Sequence, residues 1–210
     1  MKEIKFSHPH RQKHFDFFNQ MNHPHFSITA NVNITLYLDF LSKHNHPLTP
    51  GLVYLITKAA FDIPQFRWRI RNRKVFEHAT LTPSFTVYTE VADVFSFCTV
   101  PFNQDPSTFI PSAYEESQKM KTNPSFEDEK GKDDYLFLSM IPWVQFTSFQ
   151  HAMSYHPSDS VPRMTWGKFF KQDEKTFMPL SVQVHHAIVD GRHVGQYFKA
   201  LDEIQIALMD

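Results

Sequence analysis

The chain has a single cysteine, Cys98, so no disulfide can close within its 210 residues, and a reducing compartment is expected. Lys and Arg total 21 against 22 for Asp and Glu, leaving no basic excess to neutralise phosphates and no acidic tail. Nucleic acid is therefore not an expected partner. No apolar run approaches the length of a membrane span; the strongest, GLVYLITKAAF from Gly51, is short and holds Lys58. The amino-terminal MKEIKFSHPHRQKHFDFF has neither an apolar core nor a small-residue cleavage site, so secretion is not signalled. A soluble cytoplasmic protein with no membrane partner is expected. Internal repeats and linker-like segments are also missing, which points to one domain over residues 1–210.

What the chain does have is phenylalanine, 22 copies of it, with a net charge of only −1. That much aromatic surface is hard for a small, nearly neutral monomer to hide, so an oligomer is expected. The stretch FSITANVNIT, residues 26–35, alternates Phe26, Ile28, Ala30, Val32 and Ile34 with mostly polar positions, as a half-buried strand does. It follows a short helix at HRQKHFDFFNQM. A helix over LTPGLVYLITKAAFDIP precedes four strand-like runs, FRWRI, KVFEH, SFTVYTEV and VFSFCTV, whose spacing predicts a meander. The last of these places Cys98 as a buried structural thiol rather than a nucleophile. A helix around SAYEESQKMK leads into the polar TNPSFEDEKGKDD, read as a mobile loop. YLFLSMIPWVQFTSF, RMTWGKFF and TFMPLSVQV read as strands, and a helix carrying Val194, Tyr197, Phe198, Leu201, Ile204 and Leu208 closes the chain. The expected fold is a two-layer α/β (α+β) sandwich, a mixed β-sheet with flanking helices.

The chemistry concentrates in MPLSVQVHHAIVDGRHVGQYF, residues 178–198. Here an alternating strand ends in His185 and His186, and Asp190 and Gly191 precede the last helix. A strand-to-helix turn can present a side chain to a cleft, and an imidazole there suits general-base work on an alcohol or amine. Two polar groups satisfied at a strand end fit the dipeptide equally well. A metal reading of His185, His186, Asp190 and His193 is weaker, because neighbouring strand histidines point to opposite faces and the spacing is not H-E-x-x-H; no metal is expected. No G-x-S-x-G elbow supports a serine hydrolase.

HHAIVDG resembles the H-H-x-x-x-D-G signature of the chloramphenicol acetyltransferases, shared more distantly with peptide-synthetase condensation domains and the acyltransferase core of 2-oxo acid dehydrogenases. HRQKHFDFF, FSIT, PSFTV, IPWVQFTSF, TWGKFF and MPLSVQVHHAIVDGRHVG also fall in that family's order, so the similarity runs nearly end to end. The resemblance implies that fold and a single acyltransferase domain. It implies acetyl transfer from acetyl-CoA, a co-substrate rather than a permanently bound cofactor, to the primary hydroxyl of chloramphenicol. His186 is then the general base, Ser139 in LSMIPW the hydroxyl that meets the oxyanion, and Thr165 in MTWGK a further support of the transition state. Asp190 is implied to pair with Arg11 and order the turn. Lys168 matches a lysine near the CoA phosphate, and Phe17, Phe18 and Phe26 match aromatic positions of the acceptor pocket.

The resemblance further implies a homotrimer with active sites at subunit interfaces, a small-molecule acceptor and antibiotic resistance as the consequence. The chain departs from the pattern at Gln150 and His151, which stand where the family has acceptor-wall residues, and at Pro47, which replaces a lysine. His151 is accordingly expected to line the acceptor site, and Ser148 to be an ordinary strand serine. Two other readings remain open. One is a CoA-dependent acyltransferase of another small alcohol or amine; the other is a non-catalytic binding protein of the same fold.

Overall fold

The computed structural model describes residues 1–127, 129–154 and 159–209. In chain order its elements are β1 (Lys2–Ile4), α1 (Pro9–Asn19), β2 (His25–Asn33), α2 (Thr35–Lys43), α3 (Leu48–Phe61), a single 3-10 turn (Pro64–Arg67), β3 (Trp68–Arg71), β4 (Lys74–Glu77), β5 (Thr82–Tyr88) and β6 (Phe95–Thr99). They continue with α4 (Pro106–Thr122), β7 (Tyr135–Ile141), β8 (Arg163–Gly167), β9 (Phe170–Gln172), β10 (Lys175–His185) and α5 (Gly191–Ala207). The main sheet has the order β2-β10-β8-β7-β5-β6, with β9 attached to β10. It is mixed: β5, β7 and β8 run parallel, and the remaining pairs are antiparallel.

Strand β10 organises the molecule. Its alternation sends Met178, Leu180, Val182 and Val184, all fully buried, to one face, where they join the core formed with α3 and α5. The opposite face carries Ser181, Gln183 and His185, and these are buried too. The register sets Ser181 beside Thr165 of β8 and Thr29 of β2, and Thr165 beside Ser139 of β7. Paired residues share a face, so four hydroxyl side chains cross the sheet in one row. Pro179 costs β10 no ladder bond, because it sits opposite residues 167–169, where the partner changes from β8 to β9.

Four expectations need correction. The strand read over residues 26–35 ends at Asn33, whose Oδ1 accepts from both the backbone N–H and the hydroxyl of Thr35 and turns the chain into α2. That helix, missed in the sequence, buries Tyr37, Phe40 and Leu41 at helical spacing. The four runs after α3 do not form a meander: β1, β4 and β3 make a separate three-stranded sheet, whose β3–β4 turn holds Asn72 and Arg73 at positive φ. The run from Tyr135 stops being a strand at Ile141, before Pro142, which has no N–H for a ladder. Beyond it the chain crosses the end of β8, where the Val144 carbonyl accepts from Lys168 N–H at 2.9 Å. A Cβ on Gly167 would lie 2.8 Å from that oxygen, so the crossing depends on glycine.

The polar segment after α4, read as mobile, contains Asp128, which lies outside the described residues. Its far end is held firmly. Asp133 takes Arg71 and His78 on its carboxylate, and the fully buried Arg69 guanidinium donates to the carbonyls of Phe66, Trp68, Asp133 and Tyr135. This fixes the start of β7, the strand that carries Ser139.

Candidate active site

The turn between β10 and α5 is built by three elements. α5 begins at a capping box in which Asp190 accepts from the Arg192 N–H at 3.0 Å while His193 Nδ1 accepts from the Asp190 N–H at 2.9 Å. The Arg192 N–H is also the largest influence holding the Asp190 carboxyl below its usual range. On the other side, α1 places Arg11, His14, Phe15 and Phe18 on one stripe, three and four residues apart. Arg11 reaches over to donate to the carbonyls of Ala187, at 2.8 Å, and Ile188, at 2.7 Å. β2 contributes Phe26, and the Pro24 carbonyl accepts from the His186 N–H at 2.8 Å.

His186 therefore stands on a turn tied at both ends. Its ring stacks on Phe18 at 3.8 Å and 28°, leans on Phe26 at 4.6 Å, and meets the edge of His14 at 5.3 Å. Nδ1 is buried without a hydrogen-bond partner among the described residues. A buried nitrogen cannot take a proton from a substrate, so Nε2 is the one left to do so. His185 faces the opposite way, 3 % exposed, edge-on to His25 at 4.9 Å, and burial pushes its pKa down to about 3.

The expected Arg11–Asp190 ion pair takes a different form. Arg11 satisfies two carbonyls of the turn, and its nearest titratable partner is His14, whose Nδ1 lies 2.8 Å away. Because arginine only donates, that Nδ1 is an acceptor and neutral His14 carries its proton on Nε2, the atom 3.8 Å from Asp190 Oδ2. Arg11 acts on Asp190 through space, across this histidine. His14, His186 and Asp190 each bring one ligand atom within 4.8 Å of the others. With the proton of His14 fixed toward Asp190, however, that nitrogen offers no lone pair to a metal. Arg11→Ala is expected to destabilise the protein by about 1–3 kcal/mol, since two buried carbonyls lose their donor, while Asp190→Asn costs less because asparagine caps nearly as well. Urea unfolding of both variants checks this; equal losses would restore the direct ion pair.

The other residues fall in a second place. Ser139 lines a cavity of about 250 Å³ with Thr86, Tyr88, Phe95, Trp143 and Phe149. Thr165, fully buried, shares its strand face, and Thr165 Oγ1 lies 2.9 Å from His151 Nε2. His151 is thus engaged with a sheet hydroxyl rather than forming a simple polar wall. Burial lowers its pKa to about 4. Ser148 lines a separate recess with His23, Gln150 and Gln183. Lys168 is exposed at the β8–β9 corner, and Pro47 stands immediately before α3. Phe17 does not join Phe18 and Phe26: it is 61 % exposed and meets the edge of Phe18.

Sequence reasoning missed three participants. His14 was detectable from its spacing to Arg11 and Phe18 on α1. His25, opposite His185, and Gln183, whose Oε1 accepts the His151 N–H at 2.8 Å, depend on strand pairing and carry no local signal.

A histidine presented between aromatic rings at the strand-to-helix turn of such a mixed sheet defines the class of H-H-x-x-x-D-G acyltransferase folds. Within it, the chain belongs to the chloramphenicol acetyltransferase family, whose sequence profile matches residues 1–203. It is 28 % identical over 195 residues to chloramphenicol acetyltransferase 3 of Escherichia coli, covering 92 % of both chains. It is 29 % identical over 192 residues to the chloramphenicol acetyltransferase of Bacillus pumilus, covering 91 % of this chain and 87 % of that one. A solved chloramphenicol acetyltransferase superposes with a TM-score of 0.80 at 20 % identity, over 96 % of this chain and 98 % of that one. The dihydrolipoamide acetyltransferase of Azotobacter vinelandii shares the fold at a TM-score of 0.68 and 16 % identity, over 100 % and 94 %.

Proposed function

We propose that this protein is a cytoplasmic, homotrimeric, acetyl-CoA-dependent O-acetyltransferase that acetylates the primary hydroxyl of chloramphenicol and so inactivates the antibiotic. The observation that carries the reading is His186, its ring clamped by Phe18 and Phe26 on a turn that Arg11 and Asp190 hold, in a chain matching the family over residues 1–203. His186 Nε2 removes the hydroxyl proton as the alcohol oxygen attacks the thioester carbonyl carbon. The Ser139 hydroxyl donates to the oxyanion that forms there, with Thr165 beside it, a contribution worth about 3 kcal/mol in comparable sites. Collapse breaks the carbon–sulfur bond, and His186 returns its proton to the departing thiolate. Lys168 is assigned to the CoA phosphates, and Phe18 and Phe26 to the acceptor.

The separation of these groups supports the trimer. Ser139 and His186 of one chain are two strand spacings and about five residues apart along the sheet, roughly 20 Å. One reacting centre cannot touch both. A neighbouring subunit that sets its Ser139 against this His186 completes the site, with the apolar surface around Phe17 and Ile28 available to the contact.

Gln150, a polar side chain where the family has an acceptor-wall residue, favours a second reading, an acceptor other than chloramphenicol. Thiol release from saturating acetyl-CoA, with the product identified by mass, decides between them. Chloramphenicol acetate is expected, with a Michaelis constant raised by a loss of about 1–3 kcal/mol in acceptor fit. Turnover of other alcohols or amines without any chloramphenicol product would establish the second reading.

A further inference from the structure

The segment from Phe149 to Met153 lies across the polar face of the sheet and is pinned there. Ser181 donates its hydroxyl to the Phe149 carbonyl at 3.2 Å. Gln183 accepts the His151 N–H through Oε1 and directs Nε2 to the sulfur of Met153. The His151 ring is further set by the edge of Phe149 at 4.9 Å. Backbone and ring plane are thus both fixed, and the result is that Nε2 is delivered to the Thr165 hydroxyl at 2.9 Å.

Thr165 is fully buried on a central strand, between Ser139 and Ser181. A buried hydroxyl with one partner has its rotor fixed by that partner, and the direction of its remaining hydrogen-bonding capacity follows. We infer that His151 is a positioning residue: it orients the Thr165 hydroxyl in the row that Ser139 occupies, and does not itself bind the acceptor. The inference rests on the proposed acetyl transfer, in which this row faces the oxyanion. With its pKa lowered by burial, the imidazole remains neutral at physiological pH, so the bond to Thr165 is not interrupted by protonation. The sequence position had pointed to the acceptor wall; the geometry turns the same side chain toward the sheet.

The distinguishing consequence is a split between kinetic constants. His151→Leu removes the partner of Thr165 and is expected to lower kcat roughly tenfold with little change in the acceptor Michaelis constant. His151→Gln, which keeps a hydrogen-bonding group, is expected to recover most of that loss. Thr165→Val is expected to add little in the His151→Leu background, because the two act as one unit. An improved acceptor Michaelis constant with unchanged kcat in His151→Leu would overturn the inference and make His151 a wall residue. So would additive effects of the two substitutions. Nitrogen-15 NMR of the histidines in the full protein keeps the test independent of turnover: the His151 Nε2 resonance is expected to shift in Thr165→Val. If the resonance shifts and no acceptor is acetylated, the proposed reaction has failed and the contact stands. If acetylation is seen and the resonance does not move, the positioning role has failed.

Discussion

His186→Ala is expected to remove acetyl transfer, by a factor on the order of 10² to 10⁴ or more, without dissociating the oligomer. The ring packs between Phe18 and Phe26 at the surface of the turn, while the turn itself is secured by backbone and capping bonds that do not involve the imidazole. Thiol release measures the loss, and sedimentation checks the assembly. Ser139→Ala is expected to lower kcat by roughly 10², with the Michaelis constants little changed, since in the proposed reaction its hydroxyl meets charge present only in the transition state. Mixing the two variants sharpens the test. If His186 and Ser139 come from adjacent subunits, random trimers assembled from equal amounts of each variant regain about a quarter of wild-type activity, because one interface in four combines both intact groups. Mixed trimers as inactive as either parent would refute the shared site. Full activity in His186→Ala alone, with loss in His185→Ala, would reverse the roles of the two histidines.

The second large effect is on stability against acid. His185, buried, and His151, half-buried, are held as neutral imidazoles, with pKa values pushed by desolvation to about 3 and about 4, and burial lowers His25 as well. In the unfolded chain a histidine titrates near 6.5. Below that value the unfolded chain binds protons that the folded protein refuses, so the stability present above pH 6.5 is lost as the pH falls toward 4. Two such groups give a slope of about 2.7 kcal/mol per pH unit near pH 5. Urea unfolding at pH 7, 6 and 5 measures it. A stability unchanged across that interval would mean that these rings reach solvent or a charged partner.

The amino-acid sequence by itself determined the motif that occupies the turn and most of the regular structure. H-H-x-x-x-D-G, the alternation through Val182 and Val184 and the periodicity of α5 are local patterns, because a strand or helix displays its own faces at fixed intervals. Family membership and the positions of His186 and Ser139 followed from motifs in the same way. Only the tertiary structure decided what lies across from what. The row of hydroxyls from Ser139 to Thr29, the meeting of His25 with His185 and the delivery of His151 to Thr165 join residues far apart in the chain, and strand register has no local signature. The meander failed for that reason: β3 and β4 look like neighbours of β5 in sequence, but pair with β1 in a separate sheet. Arg11 shows the finer limit. Its place near the turn followed from the resemblance, whereas its partners, two carbonyls and a histidine, were fixed by how α1 packs against the turn, where unsatisfied backbone acceptors draw the guanidinium more closely than a carboxylate already capping a helix.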